Sequence, residues 1–84
     1  MHLRIRHKVF LDELIFEVQE PTNLSFKALL IDDQGNICRS LELDAESDRS
    51  LYKWNGLNEL PYGLYTCEIY GGEAESKTQL IKRL

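Results

Sequence analysis

The sequence alternates apolar and polar residues with a period of two along most of its length, and no other feature constrains its fold as much. Leu3, Ile5, His7 and Val9 alternate with His2, Arg4, Arg6 and Lys8, which predicts a strand over residues 3–9 with one wet face. Leu14, Phe16 and Val18 alternate with Glu13, Glu17 and Gln19 in a second strand, broken by Pro21-Thr22-Asn23. Over residues 25–31, Phe26, Ala28 and Leu30 share one face while Leu29 and Ile31 occupy the other. This segment reads as a central strand covered on both sides.

Asp32-Asp33-Gln34-Gly35-Asn36 is a tight turn, with Gly35 available for the positive φ that hairpins favour. The chain returns over residues 37–43, with Ile37, Leu41 and Leu43 on one face, interrupted by Arg39. Cys38 then points outward with Ser40 and Glu42. Residues 44–49 are the longest polar stretch and read as an exposed loop, and residues 51–54 as a short strand or edge. Residues 56–61 form a turn. Residues 63–70 give the clearest strand, with Tyr65, Cys67 and Ile69 facing inward. Gly71-Gly72 turns again and residues 76–83 end the chain as a strand. A helix over residues 9–18 is the weak rival: Phe10, Leu14 and Val18 fit i, i+4 spacing, but Ile15 and Phe16 suit a strand better.

About seven short strands at roughly 8–12-residue spacing predict an all-β antiparallel sandwich. With 84 residues, this is one domain, residues 1–84, with room for a single core. No apolar run approaches the ~18 residues a spanning helix needs. Val9-Phe10-Leu11 is too short for the core of a signal peptide. The sequence leaves the compartment open: cytoplasmic for a free-standing chain, periplasm or cell surface for a piece of an exported protein.

The net charge of −4 is unevenly spread. All fourteen acids lie between Asp12 and Glu75, whereas Arg4, Arg6 and Lys8 open the chain and Lys77, Lys82 and Arg83 close it. Basic ends on an acidic body can steer an anionic partner. The plainer expectation is two terminal strands lying side by side with a solvated basic face. Nucleic acid is disfavoured as a partner, because the summed field repels phosphate.

Residues able to carry chemistry are few. Cys67 should be buried and Cys38 exposed on the opposite face, which disfavours a bridge between them. His2 and His7 sit on opposite faces of one strand, and no Cys/His cluster has zinc spacing. Asp44, Glu46 and Asp48 alternate along the polar loop and could at most hold calcium weakly. No carboxylate pair, glycine-flanked nucleophile or phosphate-cradling loop appears. The expectation is therefore no enzyme, no metal and no cofactor. Tyr52, Trp54, Tyr62, Tyr65 and Tyr70 cluster in one third of the chain and either fill the core or form an interface.

The order Cys38, Trp54, Tyr65-x-Cys67 resembles that of an immunoglobulin domain, with Tyr65 in the position of the tyrosine corner. Ala28-Leu29-Leu30-Ile31-Asp32-Asp33-Gln34-Gly35-Asn36 resembles the strand–turn signature of bacterial C-terminal immunoglobulin-like sandwiches. Tyr52-Lys53-Trp54-Asn55-Gly56, followed by Leu60-Pro61-Tyr62-Gly63-Leu64-Tyr65-Thr66, resembles their W-[ND]-G … L-P-x-G-x-Y segment. Such segments occur in the flagellar hook-capping immunoglobulin-like domain and in the C-terminal sorting domain of type nine secretion in Bacteroidetes. The stretch 76–84 is similar to the basic, strand-ending tail of the sorting domain, and the likeness covers roughly residues 14–84.

The resemblance implies an immunoglobulin-like sandwich that docks rather than catalyses, recognised through its last strand and basic tail (Lys77, Lys82, Arg83), with Trp54 and Tyr62 as aromatic contacts. The alternative is a free-standing cytoplasmic interaction or structural domain that forms a homodimer through an edge strand.

Overall fold

The computed structural model describes residues 3–18, 24–45, 51–71 and 74–83. These residues form eight strands and no helix: β1 (Leu3–Ile5), β2 (Val9–Phe10), β3 (Leu14–Val18), β4 (Leu24–Asp32), β5 (Ile37–Ala45), β6 (Leu51–Trp54), β7 (Gly63–Gly71) and β8 (Ala74–Lys82). Three strands in the order β1-β3-β6 make one sheet, and five in the order β2-β8-β7-β4-β5 make the other. This is the immunoglobulin-like arrangement: β3 and β6 stand where strands B and E do, β4, β7 and β8 where C, F and G do, and β5 adds a C′ strand.

The eighth strand arises because the N-terminal segment divides between the sheets. β1 pairs with β3, Ile5 opposite Phe16, and the Arg6 N–H still donates to the Ile15 carbonyl at 2.9 Å. The chain then crosses, and β2 lies parallel to β8, with Val9 opposite Ile81. Ile81 donates to the Lys8 carbonyl (2.8 Å) and Arg83 to that of Phe10 (3.0 Å). The crossing resets the alternation: Ile5 and Phe10 are buried, while His7 and Val9, expected to face inward with Ile5, are exposed. Among the described residues the terminal strands thus pair at β2, and Arg4 forms an ion pair with Glu17 on the other sheet at 3.1 Å.

The β4–β5 hairpin turns at Asp32. Its carboxylate accepts the backbone N–H groups of Gln34 (2.9 Å) and Asn36 (2.8 Å), and Gly35 takes φ 87°. The partnering then slips. Ile31 opposes Ile37 but Leu30 opposes Arg39, so Cys38 is an extra residue, a β-bulge. This corrects the expected faces of β5. Ile37 turns outward at 61% exposure, whereas Cys38 packs against the core beside Leu41 and Leu43. β5 also runs further than the sequence suggested. Asp44, expected in a loop, is in the strand, where its carboxylate accepts the Ser25 hydroxyl at 2.7 Å. Glu46, Asp48 and Arg49 lie outside the described residues.

The core lies between the sheets. Leu14, Phe16 and Val18 from β3 face Leu30, Cys67 and Leu80 from the larger sheet, all at 1% exposure or less. Burying a large side chain of this kind contributes on the order of 1.5–3 kcal/mol. Trp54 stacks on Phe16, with centroids 6.1 Å apart and planes 26° from parallel. At one end of β7 the Phe26 ring lies over Gly71 so closely that a Cβ there would sit 2.3 Å from a ring carbon. Only glycine leaves room for that ring.

Tyr65 closes the other end of β7. Its hydroxyl donates to the Pro61 carbonyl, four residues upstream, at 2.6 Å, and its ring meets Phe10 edge-on. This is the tyrosine corner that the Tyr65-x-Cys67 spacing anticipated.

Candidate docking surface

Register fixes which side chains share the outer face of the five-stranded sheet, the face turned away from the core. Near the β4–β5 turn, Val9 (β2), Ile81 (β8) and Leu64 (β7) stand in one row. The next row holds Gln79, Thr66, Ile31 and Ile37. Val9, Ile81, Leu64 and Ile37 are 44–61% exposed, and Ile31 is half-buried. Toward the other end, Lys77 stands opposite Glu68, and Lys27 stands between Tyr70 and Glu42. Opposite charges thus neighbour each other across the strands at two places in that half. One end is therefore apolar and the other charged.

A concavity of about 470 Å³ runs along this face, lined by Ile31, Leu64, Thr66, Gln79, Lys77 and Glu68 among others. It is open to solvent, and the Asp32–Asp33 turn borders it. Tyr62, 66% exposed, joins the apolar end from the corner before β7, where it shares a second concavity with Asp33 and Leu64.

The residues expected at an interface divide accordingly. Tyr62 and Arg83 are exposed near the apolar end, Arg83 following Ile81 and the inward-facing Lys82. Lys77 is exposed at its border. Trp54 and Lys82 are removed from any interface in this fold. Trp54 is 7% exposed in the core; Lys82 is 6% exposed, its Nζ 6.0 Å above the Phe10 ring and donating to the Arg83 carbonyl at 3.0 Å. Alternation explains both, since each follows the inward parity of its strand. The aliphatic residues of the apolar end were not singled out from sequence. Their signal was present in β4, whose apolar residues on both faces implied a covering layer that is not there among the described residues.

Burial and hydrogen bonding shift several titratable groups. Burial pushes the Cys67 thiol up to about 12. Burial also raises Cys38, helped by the nearby Asp32 carboxylate, while its Sγ–H contacts the Asn36 carbonyl at 3.6 Å. A thiol held protonated is a poor nucleophile and metal ligand. Both cysteines are free. The Asn36 N–H holds Asp32 below the usual carboxylate range. A hydrogen bond to the Glu68 carboxylate holds the Tyr70 hydroxyl up to about 12. Among the described residues no three His, Cys, Asp or Glu side chains are grouped to hold a metal ion, and no helix is long and apolar enough to cross a membrane.

No family model matches the chain, and no curated protein matches it.

Proposed function

We propose that this chain is a non-catalytic docking module that seats on a protein partner through the outer face of its five-stranded sheet. The last strand, β8, supplies Ile81 to the apolar end, with Lys77 and Arg83 at its rim. One observation carries the reading: Val9, Ile81, Leu64 and Ile37 form an exposed aliphatic end on a face whose charged side chains gather at the other end. Exposed apolar clusters of this kind on small domains mark association sites. Raised thiols and an open, shallow concavity give no support to catalysis, which needs a poised group in a desolvated pocket. In the role its motifs resemble, the module would be a sorting or assembly domain recognised through its C-terminal strand.

Deleting residues 77–84 is not a usable test, because it would take Leu80, fully buried, out of the core and strip β7 of most of its partner strand. Point changes at exposed positions on the face leave the core residues in place. The domain would be fused to the C-terminus of a signal-bearing reporter in a Bacteroidetes host with type nine secretion. The expected result is surface delivery of the reporter, lost with Leu64→Asp and weakened with Lys77→Glu. Periplasmic retention of the unaltered fusion refutes the sorting role. Delivery undisturbed by Leu64→Asp refutes docking through this face.

A further inference from the structure

We propose that β5 is a second docking element, an edge that takes up an extended segment of another protein as a sixth, antiparallel strand. The segment it fits alternates lysine or arginine with aliphatic residues. This inference concerns the rim of the sheet and does not depend on the outer face as a docking surface.

Among the described residues β5 has a partner strand on one side only, and it is the longest strand at any sheet edge. Its hydrogen bonding is readable from the turn. The Asp32 N–H donates to the Asn36 carbonyl at 2.9 Å, so Asp32 directs its backbone groups at β5. Backbone direction alternates along an antiparallel ladder. Leu30, Ala28 and Phe26 therefore also face β5, where Arg39, Leu41 and Leu43 stand opposite them. Ser40, Glu42 and Asp44 turn their N–H and C=O groups the other way, out from the sheet. The bulge at Cys38 lies beyond this run, and Arg39 closes that end, its Nη1 donating to the Cys38 carbonyl at 2.8 Å. The stretch from Ser40 to Asp44 spans about 17 Å.

Such an edge recruits a strand through its main chain, and side chains select which strand. Inward, Leu41 and Leu43 are half-buried, although Ala28 and Phe26 opposite them are 5% and 4% exposed. The cover over the core thins from β4 to β5, so aliphatic side chains on an added strand would extend the core. Outward, Glu42 and Asp44 are exposed, and neither carboxylate is in an ion pair among the described residues. With Ser25, Lys27 and Tyr70 they border a shallow concavity of about 360 Å³. Lysine or arginine on the added strand would stand beside these carboxylates. The same charges disfavour a second copy: β5 against β5 brings both Glu42 and both Asp44 carboxylates onto one face of the ribbon.

The test uses a capped heptapeptide, Thr-Lys-Val-Lys-Val-Lys-Thr, titrated into the isotope-labelled full chain and followed by NMR. Saturable binding is expected, with Kd of about 1 mM or tighter and shift changes centred on residues 40–44. At a probe concentration about ten times Kd, hydrogen exchange of the Ser40, Glu42 and Asp44 N–H groups should slow about tenfold. Replacing the probe's lysines by glutamates should weaken binding about tenfold or more. Glu42→Lys combined with Asp44→Lys should do the same in a chain whose circular dichroism is unchanged. N-methylating the lysine nitrogens removes the donors that face β5 and should abolish binding. The probe variants keep the test decisive even where the doubly substituted chain fails to fold.

Absence of binding, shift changes centred on Leu64 and Ile81, indifference to the probe's charge, or binding that survives N-methylation each overturns the proposal. A chain that dimerises through residues 40–44 overturns it in favour of a second copy. Failure here leaves the outer-face reading standing, because reporter delivery and its loss with Leu64→Asp do not involve β5.

Discussion

Replacing Tyr65 with Phe isolates a single hydrogen bond that closes the corner before β7. The ring stays, 5% exposed, and keeps its edge contact with Phe10; only the 2.6 Å bond to the Pro61 carbonyl is lost. A hydrogen bond of this kind contributes a net ~1 kcal/mol, because folding exchanges it for bonds to water. Leaving a buried acceptor unpaired would cost up to ~3 kcal/mol. Pro61 is exposed, however, so water can take the vacated place and the lower figure applies.

For a domain of 84 residues, whose whole stability is about 4–12 kcal/mol, that loss is appreciable. It corresponds to a fall in Tm of about 4–8 °C. Urea titration and thermal melts of Tyr65→Phe, compared with the unaltered chain at equal m-value, measure it. Tyr65→Ala, which also removes the ring, should cost about 3–5 kcal/mol, a large share of that stability. A Tyr65→Phe domain as stable as the original would show that the corner hydrogen bond contributes nothing. One losing ~3 kcal/mol or more would show that water does not reach Pro61. Either result refutes the reasoning.

Three other perturbations test separate parts of the fold. Gly71→Ala forces Phe26 off the end of β7, so it should destabilise by about 1–3 kcal/mol in the same melts, with Gly71→Val worse. In thiol titration with a disulfide reagent at neutral pH, Cys38 should react slowly and Cys67 only as fast as the domain unfolds, because burial raises both and Cys67 is fully enclosed. Asp32 has a carboxyl pKa lowered by the Asn36 N–H, so its turn contributes stability above the ordinary carboxylate range and loses it as pH falls through the lowered value. Asp32→Asn should therefore melt below the unaltered chain at pH 7, and the gap should narrow as the pH drops below about 4.

Strand positions were legible because a period of two survives in almost every segment, and the corner was legible because Tyr65 and Cys67 keep its spacing. What failed to read were places where backbone geometry changes without a change in residue type. His7 and Val9 continue the alternation of Leu3 and Ile5 through a crossing between sheets, so nothing in the side chains announced that the parity had been reset. Cys38 occupies an outward slot by counting and an inward one by structure, since a bulge adds a residue without a glycine or proline to mark it.

Trp54 and Lys82 show the reverse limit. Aromatic and basic residue types suggested a surface, but their strand parity, also in the sequence, placed them inside. For the apolar end of the sheet, the double-sided pattern of β4 reads as a strand with two covering layers. The same pattern on a two-layer domain means one face is left for something else.

The parallel pairing of β2 with β8 has a consequence for how the chain is made. Val9 and Phe10 find their hydrogen-bonding partners only at Ile81 and Lys82, near the opposite end of the sequence. Contacts of such wide sequence separation form late and slowly. A ribosome has to deliver nearly every residue, at about 5–20 per second, before that seam can form. The seam therefore closes only once the last strand has been made. Until β8 arrives, both β2 and β7 lack the strand that lies between them.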